Sequence, residues 1–200
     1  MEKTITFNKI GFYATDSRFF DYFRRKCPDI ESKSVLMLKE WDIVRESRRI
    51  NPDISLLKQY ENEIGDPFLW NALVADRRIY SEKRHAFAQN YKLKFNHEEM
   101  LVILQCGLQR MERFFDSVQP NLAISFQCVT LCEYLSFLFA KARGIPLLSL
   151  RPTRINNYIY AGENVFEPSK TFYNAYQYFI ENGIERSLKN KVSKYLENRR

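Results

Sequence analysis

The stretch "NLAISFQCVTLCEYLSFLFAKARGIPLLSL", residues 121–150, decides the fold of this chain. Two short apolar runs, at 121–127 and 145–150, flank a segment that is apolar on nearly every side. Short runs of this kind are typical of buried strands, and a helix that is apolar all round must itself be buried. Gly144 is suited to end that helix in the left-handed conformation. The stretch therefore predicts a strand–helix–strand unit with two parallel strands.

The same alternation of strands and helices extends towards the N-terminus. Apolar runs at 9–15 and 33–39 predict two more buried strands. A long amphipathic helix is predicted from Asn96 onward, where Asn96 and Glu99 form a capping pair. We therefore predict an α/β fold, namely a Rossmann-like three-layer αβα domain whose mostly parallel sheet has about four to five strands.

The domain organisation follows from these elements. Residues 1–168 are predicted to form the Rossmann-like α/β domain, with a helical insertion at 53–95. Inside that insertion, Asp66 followed by Pro67 is a favoured helix start. Residues 169–200 predict C-terminal helices, which would lead towards a second domain.

Composition restricts the class of protein and its partners. The chain has 31 Lys and Arg against 24 Asp and Glu, a net charge of +7, which favours anionic partners. The basic residues are scattered, however, and scattered charge is more often an ordinary solvated surface. The N-terminus does not read as a signal peptide, and the apolar segment at 131–142 is too short to span a bilayer. We expect a cytoplasmic protein, or one at the inner face of the membrane. The four cysteines form no CxxC pair, which favours buried reduced thiols over a metal site.

Polar side chains follow three of the predicted strands. In an open α/β sheet, ligands bind beyond the carboxyl ends of the strands, where helix N-termini add backbone donors. The candidate binding residues at this edge are Ser17, Arg18, Ser125, Gln127, Arg151, Thr153 and Arg154. Because guanidinium forks suit carboxylate or phosphate groups, the sequence predicts a site for an anionic ligand.

Two carboxylates, Asp16 and Glu133, are the candidate catalytic residues. Each also has a structural explanation, since Asp16 is placed to cap a helix and "TLCE" from Thr130 reads as a capping box. Arg151 likewise has alternatives: it faces an anion, pairs with a carboxylate inside the domain, or clamps the following loop. The sequence has no GxGxxG, P-loop or GxSxG motif, no metal-ligand spacing and no nucleic-acid reader motif. We therefore expect no metal or cofactor in this chain and no specific nucleic acid partner.

Two segments resemble a known family. "LWNALVADRRIY" (69–80) and "QPNLAISFQCVTLCEYLSFLFAKARGIPLLSLRPTRINNYIYAGENVFEP" (119–168) resemble the N-terminal, acceptor-side domain of bacterial capsular and surface polysaccharide biosynthesis proteins, which are similar to GT-B glycosyltransferases. The resemblance covers roughly residues 66–168. It implies one Rossmann-like half of a two-domain transferase, with the nucleotide-sugar donor bound mainly on a second half. It departs from the family at Gln127, where an acidic residue is expected.

The resemblance also implies partners. These are an anionic glycan or a phosphate-linked acceptor, together with a second transferase domain or a membrane-associated assembly complex. A base, with Asp16 and Glu133 as candidates, would deprotonate the acceptor hydroxyl while the nucleoside diphosphate leaves the donor. The alternative hypothesis is a non-catalytic α/β binding or assembly module for an anionic ligand.

Overall fold

The computed structural model describes residues 9–12, 17–28, 31–34, 40–80, 93–126, 128–153, 155–156, 158–166 and 170–198. The chain divides into two compact units, Met1–Val165 and Phe166–Arg200. The strands are β1 (Lys9–Phe12), β2 (Glu31–Ser34), β3 (Leu122–Phe126), β4 (Leu147–Pro152) and β5 (Ile159–Gly162). The helices of the first unit are α1 (Ser17–Lys26), α2 (Glu40–Ser47), α3 (Ile54–Ile64), α4 (Asn71–Ala75), α5 (Arg77–Tyr80), α6 (His97–Val118) and α7 (Leu131–Ala142).

The five strands form one sheet in the order β2-β1-β3-β4-β5. β1 pairs in parallel with both β2 and β3, and β3 pairs in parallel with β4. β5 returns beside β4 in the antiparallel direction, which places Arg151 opposite Tyr160. The mixed α/β class is therefore confirmed. The sequence analysis does not single out β5, a strand of only four residues that is largely exposed.

The register of the sheet assigns its side chains to two faces. Ala123 is paired with Leu147, and both belong to the main core that α6 and α7 complete. Since residues two apart on a strand share a face, Ser125 and its partner Ser149 lie on that same face. Ile10 and its partner Leu122 are also buried, but outside that core cluster. Residues on both faces of the sheet are therefore buried at β1 and β3.

The main core is built around α6 and α7. Gly107 of α6 lets the two helices approach closely, since a Cβ atom there would lie 3.0 Å from Cδ1 of Leu135. Further along, the ring of Phe115 is stacked on that of Phe139 at a centroid distance of 5.9 Å. α2, α3 and α4 pack against these two helices, with Ile43 fully buried. The sequence analysis predicts no helix between the strand at 33–39 and the insertion that starts at 53, so α2 is an element that it missed.

Three of the predicted helix ends can be compared with the structure. The capping box before α6 is confirmed, with Glu99 N donating to Asn96 Oδ1 (2.9 Å) and Asn96 N donating to Glu99 Oε2 (2.8 Å). Gly144 adopts the left-handed conformation after α7, as predicted (φ 63°). The predicted helix start at Asp66 is wrong. Asp66 Oδ1 accepts from Phe68 N and stabilises a turn, and regular helix begins only at α4.

The second unit consists of two helices, α8 (Lys170–Asn182) and α9 (Arg186–Glu197). Gly183 lies between them with a left-handed φ of 74°, which suits the end of a helix. Neither helix has a buried residue. No helix in the described parts of the chain combines the length and the apolar character that crossing a bilayer requires.

Candidate functional site

The order of the sheet reverses between β1 and β3, because β2 lies on one side of β1 and β3 on the other. Ligands of open α/β sheets bind in the crevice at such a reversal, beyond the carboxyl ends of the strands. Asp16, Gln127 and Arg154 lie outside the described residues, and for Ser17 and Arg18 only the backbone, at the start of α1, is described. The side chains of Ser125, Glu133, Arg151 and Thr153 are described.

A buried polar group, which we name the strand-end cluster, comprises Ser125, Cys128, Ser149 and Arg151. Ser125 Oγ lies 3.4 Å from Cys128 Sγ, and Ser149 is the cross-strand partner of Ser125. Arg151 follows two residues later on the same face of β4, and its Nη2 donates to the backbone carbonyl of Asn164 (3.0 Å). The structure therefore brings together Ser125 and Arg151, two of the predicted binding residues, with Cys128 from the same predicted strand end and with Ser149, which was not predicted to bind.

Two atoms of the strand-end cluster are buried without a hydrogen-bond partner among the described residues. These are the hydroxyl Oγ of Ser149, which is completely inaccessible, and Nε of Arg151. The Ser149 hydroxyl lies near the Cys128 thiol, but without the geometry of a hydrogen bond. Because an unpaired buried donor costs about 1–3 kcal/mol, such groups call for a partner from ligand or water. The sequence analysis did not identify Ser149 as a binding residue, because a serine within an apolar strand matches no binding motif.

Cys128 lies in the turn between β3 and α7. Its φ of 46° is left-handed, which is unusual for a residue with a side chain. Burial raises the pKa of its thiol from 9.0 to about 11, and the Ser125 hydroxyl offsets this only in part. The thiol donates to the backbone carbonyl of Glu133 at 3.6 Å. A protonated, buried thiol of this kind serves as a packing and hydrogen-bonding group rather than as a nucleophile.

We expect Cys128 to resist alkylation. With a pKa of about 11, fewer than about one thiol in a thousand is ionised at pH 7.5. Peptide mapping after iodoacetamide treatment should show Cys27, which is only half-buried, modified at least about 100-fold faster. Because folding raises this pKa, the neutral thiol stabilises the fold below pH 9, and that contribution is lost as the pH rises towards 11. Equal alkylation rates for the two cysteines would contradict the assignment.

The N-terminus of α7, where the sequence predicts free backbone donors, is already filled by side chains. Leu131 N donates to Asp76 Oδ2 (3.2 Å), and Glu133 N donates to Thr130 Oγ1 (3.3 Å). The buried carboxylate of Glu133 in turn accepts from Val129 N (3.2 Å). These two donors of α7 are therefore already used within the fold. Glu133 is held in a capping arrangement, shifted by one residue from the predicted capping box.

Asp76 is a structural residue whose tertiary role sequence reasoning missed. Its carboxylate is 1% exposed and receives both Nε (2.9 Å) and Nη2 (2.7 Å) of Arg78. Arg78 thus forms a local ion pair with Asp76. The bond from Leu131 N adds a link across 55 residues, joining the α4–α5 segment to the start of α7. The Asp76 carboxylate thus ties the start of α7, the helix that follows β3, to the α4–α5 segment.

Thr153 has a structural role in the hairpin between β4 and β5. Its hydroxyl lies 3.1 Å from the carbonyl oxygens of Ile155 and Tyr158 and accepts from Ile155 N at 3.0 Å. Thr153 N also donates to the Tyr158 carbonyl. These contacts hold the loop in place. Among the described residues that were predicted to bind at this strand end, Arg151 has a buried donor without a partner.

A cavity of about 360 Å³ lies where α2 ends and α6 begins. Its lining is mainly polar and comprises Val44, Ser47, Arg48, Ile50, Asn51, Pro52, Phe95, Asn96, Glu98, Glu99 and Val102. The sequence analysis did not identify it, because it depends on α2. Its lining carries charges of both signs, so it has no clear preference for an anion.

Comparisons with known proteins add no identification. The chain matches no protein-family model, no curated protein and no solved structure. The likeness to polysaccharide biosynthesis proteins therefore stays a prediction drawn from residues 66–168.

Proposed function

We propose that this chain is the acceptor-binding half of a glycosyltransferase-like protein of capsular or surface polysaccharide biosynthesis. In that role it would present a glycan acceptor for transfer of a sugar from a nucleotide-sugar donor. The observation that carries the proposal is the pair of unmet polar groups, Ser149 Oγ and Arg151 Nε, at the carboxyl end of β4. Both atoms are inaccessible in this structure, so an oxygen-rich ligand reaches them only if the strand end opens around it.

The sheet supports this assignment. The order β2-β1-β3-β4 with three parallel pairs is that of a doubly wound, Rossmann-like domain, to which β5 adds an antiparallel edge. Residues on both sheet faces are buried at β1 and β3, as a three-layer αβα arrangement requires. In such a domain the strand ends beside the reversal of strand order are where the ligand lies.

The chemistry of the strand-end cluster favours an anionic acceptor. Nη2 of the Arg151 guanidinium donates to the Asn164 carbonyl, and Nε is a buried donor without a partner among the described residues. A charged donor forms its strongest hydrogen bonds with carboxylate or phosphate oxygens. The Ser149 hydroxyl can donate or accept, which suits a neighbouring sugar hydroxyl. We infer an acidic sugar or a phosphate-linked acceptor as the ligand class.

The catalytic step would draw on groups beyond this cluster. Transfer requires a base for the acceptor hydroxyl and a site for the nucleotide-sugar donor, which a second domain would supply. Of the two candidate bases, Glu133 is engaged in capping α7, and Asp16 lies outside the described residues. Asp16 is therefore the better candidate for the base.

Ser149→Ala tests the proposal with little disturbance of the fold. Because its buried hydroxyl has no hydrogen-bond partner among the described residues, removal should raise the free energy of unfolding by about 1 kcal/mol rather than lower it. It should weaken binding of a uronic-acid tetrasaccharide about tenfold, as measured by isothermal titration calorimetry with inorganic phosphate as a second probe. Arg151→Lys keeps the charge but removes Nε–H, and should also weaken binding at least about tenfold.

Two matched variants serve as controls. Ser125→Ala removes a hydroxyl that is already paired with Cys128, so it should destabilise the protein by about 1 kcal/mol. Arg113→Lys changes an exposed arginine that bonds only to its own helix among the described contacts, and should leave binding unchanged. Absence of binding to either probe, or equal binding by the wild type and Ser149→Ala, would contradict the proposal.

One observation favours the second candidate, a non-catalytic binding or assembly module. Asp76 and Glu133, the described carboxylates at the start of α7, both serve as structural acceptors. The two functions differ in turnover. Release of UDP from a UDP-sugar in the presence of the tetrasaccharide, abolished by Asp16→Asn, supports the transferase half. Binding of the tetrasaccharide without release of UDP supports the non-catalytic module.

A further inference from the structure

The two C-terminal helices present apolar stripes that the structure leaves largely exposed. On α9, residues spaced for one helical face form a stripe of Leu188, Val192, Tyr195 and Leu196. Val192 is 49% exposed and Leu196 is 56% exposed. Helices in globular units normally bury such a stripe, so this one calls for a partner.

Lysines lie along both borders of the α9 stripe. At 100° per residue, Lys189 falls next to Leu196 on one side, and Lys191 falls next to Tyr195 on the other. Arg186 and Lys194 occupy the opposite face, and Glu197 is the acidic residue of this helix. Flanking lysines can lay their aliphatic stems on an apolar surface while the ammonium groups reach outward. This arrangement fits a partner that is apolar beneath an anionic surface.

α8 carries a second stripe that is rich in tyrosine. Tyr173, Tyr176 and Ile180 share one face and are 54%, 62% and 60% exposed. Tyrosine is favoured at membrane–water boundaries because its ring is apolar and its hydroxyl is polar. Both helices of the unit therefore have the composition of interfacial helices.

We propose that the unit Phe166–Arg200 binds the surface of an anionic bilayer. The apolar stripe of α9 lies in the interface, and Lys189 and Lys191 contact lipid phosphates from its borders. Basic amphipathic helices of low mean hydropathy bind membranes in this way without crossing them. The inference is independent of the strand-end cluster and of the function proposed for it.

A nucleic acid partner fits these observations less well. Phosphate backbones attract lysine and arginine, but they offer no apolar phase for Val192 and Leu196. In a nucleic-acid-binding helix the basic residues need not border an apolar stripe. The lipid surface satisfies both the charge and the apolar face of α9.

Vesicle flotation with the full-length protein tests this inference. Vesicles of phosphatidylcholine with roughly 30% phosphatidylglycerol should bind the protein, and pure phosphatidylcholine vesicles should bind at least about tenfold less. Lys189→Gln with Lys191→Gln should weaken binding about 30-fold, because each lysine near an anionic surface contributes about a fivefold gain in binding. Leu196→Ser should weaken it about tenfold. Circular dichroism should show all variants folded, since the substituted side chains are exposed.

The matched control removes the same charge elsewhere. Lys58→Gln with Lys141→Gln changes exposed lysines of α3 and α7 and should leave vesicle binding within about twofold of wild type. Equal binding of both double variants, or equal binding to neutral vesicles, would overturn the proposal. So would selective binding to single-stranded RNA that the α9 variants abolish, or a stable dimer that Leu196→Ser dissociates in sedimentation.

Discussion

We expect Asp76→Ala to lower the free energy of unfolding by about 3 kcal/mol, because it removes the buried carboxylate of an ion pair whose guanidinium is 38% exposed. The carboxylate accepts three hydrogen bonds from Arg78 and one from Leu131 N, and it is 1% exposed. Its removal leaves a guanidinium and a buried backbone N–H without their acceptor. Urea denaturation followed by circular dichroism measures the loss.

Two further variants sharpen this prediction. Asp76→Asn retains a carbonyl oxygen for Leu131 N but loses the charge, so it should lie between alanine and the wild type. Asp116→Ala breaks the pair with Arg143, in which the carboxylate is 60% exposed, and should cost at most about 1 kcal/mol. If Asp76→Ala were no more damaging than Asp116→Ala, the carboxylate would not be the link between α5 and α7.

Phe115→Ala should destabilise the first unit by about 3–5 kcal/mol. Its ring is 1% exposed and lies against Phe139, and the guanidinium of Arg143 is 5.6 Å from the Phe115 ring. Truncation opens a cavity between α6 and α7, the two helices on which the other helices pack. The close approach at Gly107 limits how far these helices can shift to fill it.

The matched control for this variant is Phe68→Ala. Phe68 is 67% exposed, and its backbone N–H, which bonds to Asp66, is unaffected by the substitution. We expect a loss of less than about 1 kcal/mol in urea denaturation. Similar losses for Phe68 and Phe115 would contradict the placement of Phe115 in the centre of the core.

Elements with strong local signals could be predicted from sequence. β3, α7 and β4 form contiguous apolar segments, and α6 begins at a capping box whose two hydrogen bonds both form. α2 was missed because it is charged on most of its surface and is buried only through Ile43, Val44 and Ser47. β5 was missed because its hydrogen bonds to β4, rather than apolar burial, hold it in the sheet.

The candidate site was predicted less completely than the fold. Arg151 was identified from its position after a strand, because that rule depends only on the direction of the strand. Ser149 could not be identified, since a serine at a buried position becomes informative only when its lack of a partner is visible. Glu133 and Thr153 were candidates by type and position, but their oxygen atoms are used within the fold.

The sequence by itself determined the alternation of strands and helices, the burial of α7, the capping of α6 and the presence of C-terminal helices within 169–200. These depend on local periodicity and on hydrogen bonds between residues a few positions apart. Only the tertiary structure decided which polar groups are satisfied. Asp76 meets Leu131 across 55 residues, whereas Ser149 and Arg151 Nε remain unmet among the described residues. Pairing over such separations depends on how the elements pack, and no local pattern encodes it.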